Sequence, residues 1–158
     1  MRVDTLTSEQ RLTALGLTLP PPPTPLGSYV ETVQAGRMLY LSGMLPVVSG
    51  KPASLGRVGV ELSVEEGKKA AKIACLNALS AIRAHLGSLD PVAAIAKLSV
   101  YIATHDGFRE HAEVADGASD LLVGIFGPDK LPARVVLGVV SLPLGTPIEV
   151  EILVETIS

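Results

Sequence analysis

In the stretch LPARVVLGVVSLPLGTPIEVEILVE, residues 131–155, Arg134 and three glutamates, Glu149, Glu151 and Glu155, stand among apolar neighbours, and the chemistry turns on Arg134 and Glu149. A guanidinium keeps its charge in proteins and presents a planar fork of donors. An arginine at the head of an apolar run therefore needs an anion, either a carboxylate of the protein or one belonging to a ligand. Glu149 offers acid–base chemistry or a hold on water. Together the two would grip a small acid and activate water beside it. The competing reading is structural, with Arg134 neutralising an interface carboxylate and merely holding an oligomer together. Spacing alone leaves both open.

Positioning falls to two strands, ARVVLGVV and PIEVEILVE, which read as a hairpin turning about Pro143 and Leu144. With Leu142 facing Gly145, Glu149 lies opposite Gly138, on the same side as Arg134. At about 3.3 Å per residue the two are roughly 13 Å apart. They share a face without touching, so a ligand lies between them or a neighbouring subunit completes the site.

The rest of the chain supplies the scaffold. TLTSEQRLTALGL reads as a short helix, with Thr7 and Gln10 at capping-box spacing and Gly16 as its stop. LPPPPTPLG, residues 19–27, is an extended connector laid over the domain or, alternatively, a ligand for a proline-binding module. SYVETVQAG and RMLYLSGMLPV are strands across a Gly36 turn, and VSGKPASLGRVGVEL is a loop. Ser63 and Glu66 form a second capping box, opening an alanine-rich helix through about His85 that leaves Lys68, Lys69, Lys72 and Arg83 to solvent. VAAIAKLSVYIAT is a buried strand, and HDGFREHAEVADGASDLLVGIFG a helix entered through Asp106. The order is β-β-α-β-α-β-β after the N-terminal arm, which predicts an α+β mixed sheet with two helices on one face. A single domain spans residues 1–158, with an arm over 1–26 and a core over 27–158.

Composition narrows the functions. The chain is 47% apolar and only 18% charged, with mean hydropathy +0.43, more apolar than a small monomer requires. No apolar run reaches the roughly 18 residues of a membrane helix, so the surplus is expected to cover a homo-oligomer interface. A net charge of −3, no dense Lys/Arg cluster and five aromatics in all argue against nucleic acid. One cysteine, Cys75, excludes an internal disulfide; with no signal-like segment, a reducing cytoplasm is expected. His85, His105 and His111 lack the spacing of a metal site. Walker, GxSxG and dinucleotide-binding signatures are missing.

Taken together, YVETVQAGRMLYLSGMLPV, VYIA and PARVVLGVVSLPLGTPIEVEILV resemble the RidA/YjgF family of reactive-intermediate deaminases, earlier described as L-PSP endoribonucleases. The likeness runs from about Gly27 to Ile157, and the N-terminal extension resembles a longer-chain branch of that family. It implies a chorismate-mutase-like fold, a homotrimer with ligand clefts between subunits, and hydrolysis of enamine and imine acids to 2-oxo acids and ammonia. No metal or organic cofactor is implied. By position, Arg134 matches the arginine that binds the substrate carboxylate, and Glu149 the glutamate that positions water. Tyr29 matches a tyrosine lining the cleft, and Ser42 and Gly43 the strand end facing the ligand. Tyr29 also suits core or interface packing, and Ser42 the satisfaction of backbone groups where the strand ends. Glu151 reads as a partner for an interface cation.

The departures are specific. Val136 stands where many members have cysteine, in a role implied to use the backbone carbonyl, which valine keeps. The family asparagine of the second helix falls on Ala115 or Asp116, and an anionic Asp116 beside a substrate carboxylate would be unfavourable. A trimer that binds small carboxylates without catalysis is the alternative function.

Overall fold

A computed structural model of the chain describes residues 5–158; the first four residues of the expected arm and domain lie outside it. Both capping boxes form. Thr7 accepts from Gln10 N and opens α1 (Ser8–Ala14), and Ser63 accepts from Glu66 N and opens α2 (Val64–Leu86). Gly87, at φ +80°, ends α2 in the left-handed conformation glycine adopts without strain. The strands of the Gly36 turn are β1 (Thr32–Ala35) and β2 (Met38–Leu41). The expected loop holds a small extra hairpin, β3 (Val47–Val48) with β4 (Lys51–Pro52).

The sequence reading extended the second long helix, α3 (His111–Phe126), back to Asp106. It begins later, and the cap position, Glu110, makes no side-chain cap. Residues 105–110 turn instead because Phe108 is buried between the rings of His105 and His111, whose centroids lie 6.1 and 5.0 Å from its own. Seating that ring holds the segment off a helical path.

The larger correction concerns the last two strands. β6 (Ala133–Val139) and β7 (Ile148–Thr156) do not pair; the long strand β5 (Val92–Ala103) lies between them in the order β1-β2-β7-β5-β6. α3 carries the chain back along the sheet after β5, so β6 re-enters parallel to β5, as a β-α-β crossover requires. β7 then runs antiparallel to β5 on its other side. The turn at Pro143–Gly145 exists, but it joins strands that straddle a third.

α2 and α3 pack on one sheet face, giving the expected α+β arrangement. Ala70, Ala71, Ala74, Ala78 and Ala81 are buried on α2. A Cβ on Gly117 of α3 would overlap the Lys68 carbonyl oxygen, so the two helices meet backbone to backbone. Between helices and sheet lie Leu79, Ile82, Leu122, Ile125, Leu98, Ile102, Ile148 and Ile152. Cys75 is buried in the same layer, its thiol 3.9 Å from the Ala118 carbonyl and pushed up to about 12 by burial.

α1 is clasped to this layer by Glu9, which accepts from Arg83 Nε (3.0 Å), Arg83 Nη2 (2.6 Å) and Leu89 N (2.8 Å). Arg83, assigned to solvent from sequence, is therefore an internal partner. The proline connector lies on α2, where Ser80 Oγ donates to the Pro20 carbonyl at 2.5 Å. Among the described residues no helix packs on the opposite sheet face. Val33, Tyr40 and Leu137 are about half exposed there, at positions that alternate with the buried ones. Among the described residues no helix is long and apolar enough to cross a membrane.

Candidate functional site

The anion that Arg134 demands is Asp116. From edge strand β6 the guanidinium reaches α3, where Nη1 donates to Asp116 Oδ1 at 2.8 Å and to Ser119 Oγ at 3.0 Å. The pair is partly exposed, at 27% for the Arg134 side chain and 47% for Asp116. Among the described residues no acceptor meets Nε or Nη2, which leaves one fork of the guanidinium open. Of the two residues that could match the family asparagine of the second helix, Ala115 is sealed in the core and Asp116 makes the contact with Arg134. Val136, two residues on, lies on the same face and packs against the core.

Glu149 lies on the other face of the sheet. It pairs in register with Tyr101, whereas Arg134 pairs with Leu98. Positions 98 and 101 of one strand point to opposite sides. The Glu149 carboxyl is raised above its ordinary range by burial and, secondarily, by Glu151. Its immediate neighbour is Gly43. A Cβ there would overlap the Glu149 carboxylate, with Cδ only 2.8 Å away. The approach is held by reciprocal backbone bonds, Met44 N to the Val150 carbonyl at 2.7 Å and Val150 N to the Met44 carbonyl at 2.9 Å. Glycine at 43 is thus a condition for Glu149 to lie where it does.

Ser42 takes the structural option foreseen for it. Its hydroxyl donates to the Val30 carbonyl at 2.6 Å and its N–H to the Glu31 carbonyl at 2.9 Å, tying strand end to the preceding segment. Tyr29 is 44% exposed, and its hydroxyl accepts from Leu26 N at 3.0 Å. Sequence reasoning assigned nothing to Glu31 or Tyr101. The Glu31 carboxyl is raised by burial, and Tyr101 flanks Glu149 in register. For Glu31 the available signal was its alternation with Tyr29 along one segment; Tyr101 meets Glu149 only through the pairing of β5 with β7, which no local pattern announces.

The predicted residues thus fall into two groups: Glu149 with Gly43, Ser42 and the Tyr29–Val30 segment, and Arg134 with Val136. One chain does not bring the groups together. Two cavities, of about 360 and 320 Å³, lie elsewhere; Lys68, Lys72 and Leu121 line the first, and Arg11, Asp90 and Phe126 the second. Among the described residues no cluster of three or more His, Cys, Asp or Glu could hold a metal.

Comparison with known proteins converges on one family. Residues 9–156 match the model described as "YjgF/chorismate_mutase-like, putative endoribonuclease". Protein TCP17 of Trypanosoma cruzi is 39% identical over 145 residues, which is 91% of this chain and 91% of that protein. A crystal structure titled a putative endoribonuclease, from Shewanella oneidensis, superposes with a TM-score of 0.90 at 34% identity, covering 95% of this chain and 99% of its own. Atu1372 of Agrobacterium tumefaciens superposes at 0.87 with 35% identity, over 94% and 92% of the two chains. With the family model spanning nearly the whole described chain, this protein belongs to the YjgF/chorismate-mutase-like family.

Proposed function

We propose that the chain assembles as a homotrimer and hydrolyses 2-imino and enamino acids to 2-oxo acids and ammonia, without metal or organic cofactor. The observation that carries the reading is the open Nε/Nη2 fork of Arg134 on an uncovered edge strand. Such a fork suits one carboxylate. Glu149, on the bare face, meets that fork only if it comes from a neighbouring copy. Burial of the bare face against other copies supplies that neighbour and covers the exposed apolar residues.

In this reading the substrate carboxylate seats on Arg134 and the protonated imine leaves C2 electrophilic; an enamine first takes a proton at C3. Water held by Glu149 and by backbone carbonyls near Gly43 and Val136 attacks C2, giving its proton to the glutamate. Glu149 returns the proton to nitrogen, and the C–N bond of the carbinolamine breaks as its hydroxyl proton passes to Glu149. The departing ammonia takes up that proton as ammonium, leaving the 2-oxo acid. Burial raises the Glu149 carboxyl above its ordinary range, which makes it a stronger proton acceptor than an ordinary carboxylate. Tyr29 and Ser42 shape the wall. A cytoplasmic setting agrees with the single buried thiol.

A second reading, a trimer that binds small carboxylates without turnover, is favoured by one observation: Asp116 already occupies part of Arg134. The nuclease wording in the relatives' descriptions sits poorly with a net charge of −3 and with Glu149 and Glu151 on the open face. The test couples an amino-acid dehydratase or oxidase to the protein and follows 2-oxo acid release. Arg134→Ala should abolish acceleration while leaving the assembly intact. Glu149→Gln should lose turnover yet keep affinity for a carboxylate. Acceleration that survives in both variants overturns the enzymatic assignment.

A further inference from the structure

Asp116 Oδ1 and Ser119 Oγ, one helical turn apart on α3, converge on the same nitrogen of Arg134. Two acceptors at Nη1 fix the rotation of the guanidinium and leave a single fork for a ligand. They also cancel its charge locally. Between Ala133 and Val139 strand β6 carries no ionisable residue besides Arg134, and α3 carries Glu113, Asp116 and Asp120 but no Lys or Arg. A carboxylate seated on the free fork therefore leaves β6 and α3 together net anionic, and a second carboxylate on the same molecule would find no Lys or Arg besides Arg134 on either element. The α2 lysines Lys68, Lys69 and Lys72 line the cavity beside Gly117 and Asp120.

Resting on the assignment of Arg134 as the carboxylate grip, we infer that Asp116 is a specificity-determining residue that restricts the site to monocarboxylates. It orients the guanidinium through a hydrogen bond and rejects dianions through its charge. The two roles are separable. Asparagine at 116 keeps an oxygen that accepts from Nη1 and removes the charge, whereas alanine removes both. The substrates favoured are then imino acids whose side chains carry no negative charge.

The experiment measures calorimetric binding of 2-oxopentanoate and 2-oxoglutarate, which share a five-carbon chain and differ in one terminal charge. The proteins are the intact assemblies of wild type, Asp116→Asn, Asp116→Ala and Arg134→Ala. Wild type should prefer 2-oxopentanoate. Asp116→Asn should tighten both acids and the dicarboxylate more, by about tenfold, the effect of one unit charge near a half-exposed site at intermediate dielectric. Asp116→Ala should narrow the preference similarly while weakening both acids through loss of orientation. If Arg134→Ala loses both acids while the ratio of the two Kd values is unchanged in Asp116→Asn, the carboxylate grip stands and the selectivity role fails. If wild type binds neither acid, or Arg134→Ala binds both as well as wild type does, the assignment of Arg134 falls and the selectivity role falls with it.

Discussion

Arg134 and Glu149 leave the sheet on opposite faces, with β5 between their strands: Arg134 stands beside Leu98 and Glu149 beside Tyr101. No side-chain rotation within one copy removes a strand from between them. A site that uses both must be assembled from two chains, and this can be tested by mixing. Arg134→Ala and Glu149→Gln, each inactive alone, should regain activity when co-refolded in equal amounts. Random assembly leaves about a quarter of the interfaces with both groups intact. Absence of any recovery in verified mixed oligomers would show that the two groups do not act across copies.

The bare sheet face should carry the assembly. Leu137 is half exposed and lies on that face beside Tyr101. Leu137→Asp adds a charge where apolar partners are proposed to meet, so light scattering should find a monomer. Far-ultraviolet circular dichroism should keep the helical signal, since the core lies on the other side. A variant that remains fully assembled would place the interface elsewhere.

Gly43→Ala tests whether glycine is required for the position of Glu149. The added methyl overlaps the carboxylate, so either the glutamate or the strand end moves. Overpacking of this kind costs about 1–3 kcal/mol. Turnover should fall by at least about tenfold, since the acid–base group loses its place. Chemical denaturation and the coupled assay, run on the same preparation, report the two effects.

Glu149 and Glu9 should pull the pH dependence of stability in opposite directions. The raised carboxyl of Glu149 means that the native state holds its proton more tightly than the unfolded chain does. Its stabilising contribution is full below the ordinary carboxylate range and is lost as pH rises through the raised value. Glu9 is lowered, chiefly by its hydrogen bond from Arg83. Its contribution is present above the ordinary range and is lost as pH falls through the lowered value. Glu149→Gln should therefore raise the thermal midpoint at neutral pH and flatten the decline just above the ordinary carboxylate range. Glu9→Gln should lower it by the equivalent of about 1–3 kcal/mol, the cost of leaving charged donors unmatched. Midpoints measured between about pH 3 and pH 8 check both signs.

Much of this architecture was legible because local chemistry dictates it. Thr7 with Gln10, and Ser63 with Glu66, announce helix starts that the backbone then realises. The pairing of β6 was not legible. Two apolar strands joined by a short turn favour a hairpin on local grounds, and only the crossover through α3 makes β6 parallel to β5. That error placed Arg134 and Glu149 on one face, although the resulting demand for a second subunit survives for a different reason. Ala115 and Asp116 could not be told apart from one sequence, because the choice depends on where α3 rotates over β6. The clasp between Glu9 and Arg83 joins residues 74 apart, beyond the reach of any local pattern.

Cys75 gives the molecule a built-in clock. The only sulfhydryl in the chain lies sealed beneath α3 and is held protonated by its surroundings, so an alkylating reagent finds nothing nucleophilic while the helices stay together. Each adduct then records one excursion in which α2 and α3 parted, and labelling rates report breathing of the helical layer without any engineered probe.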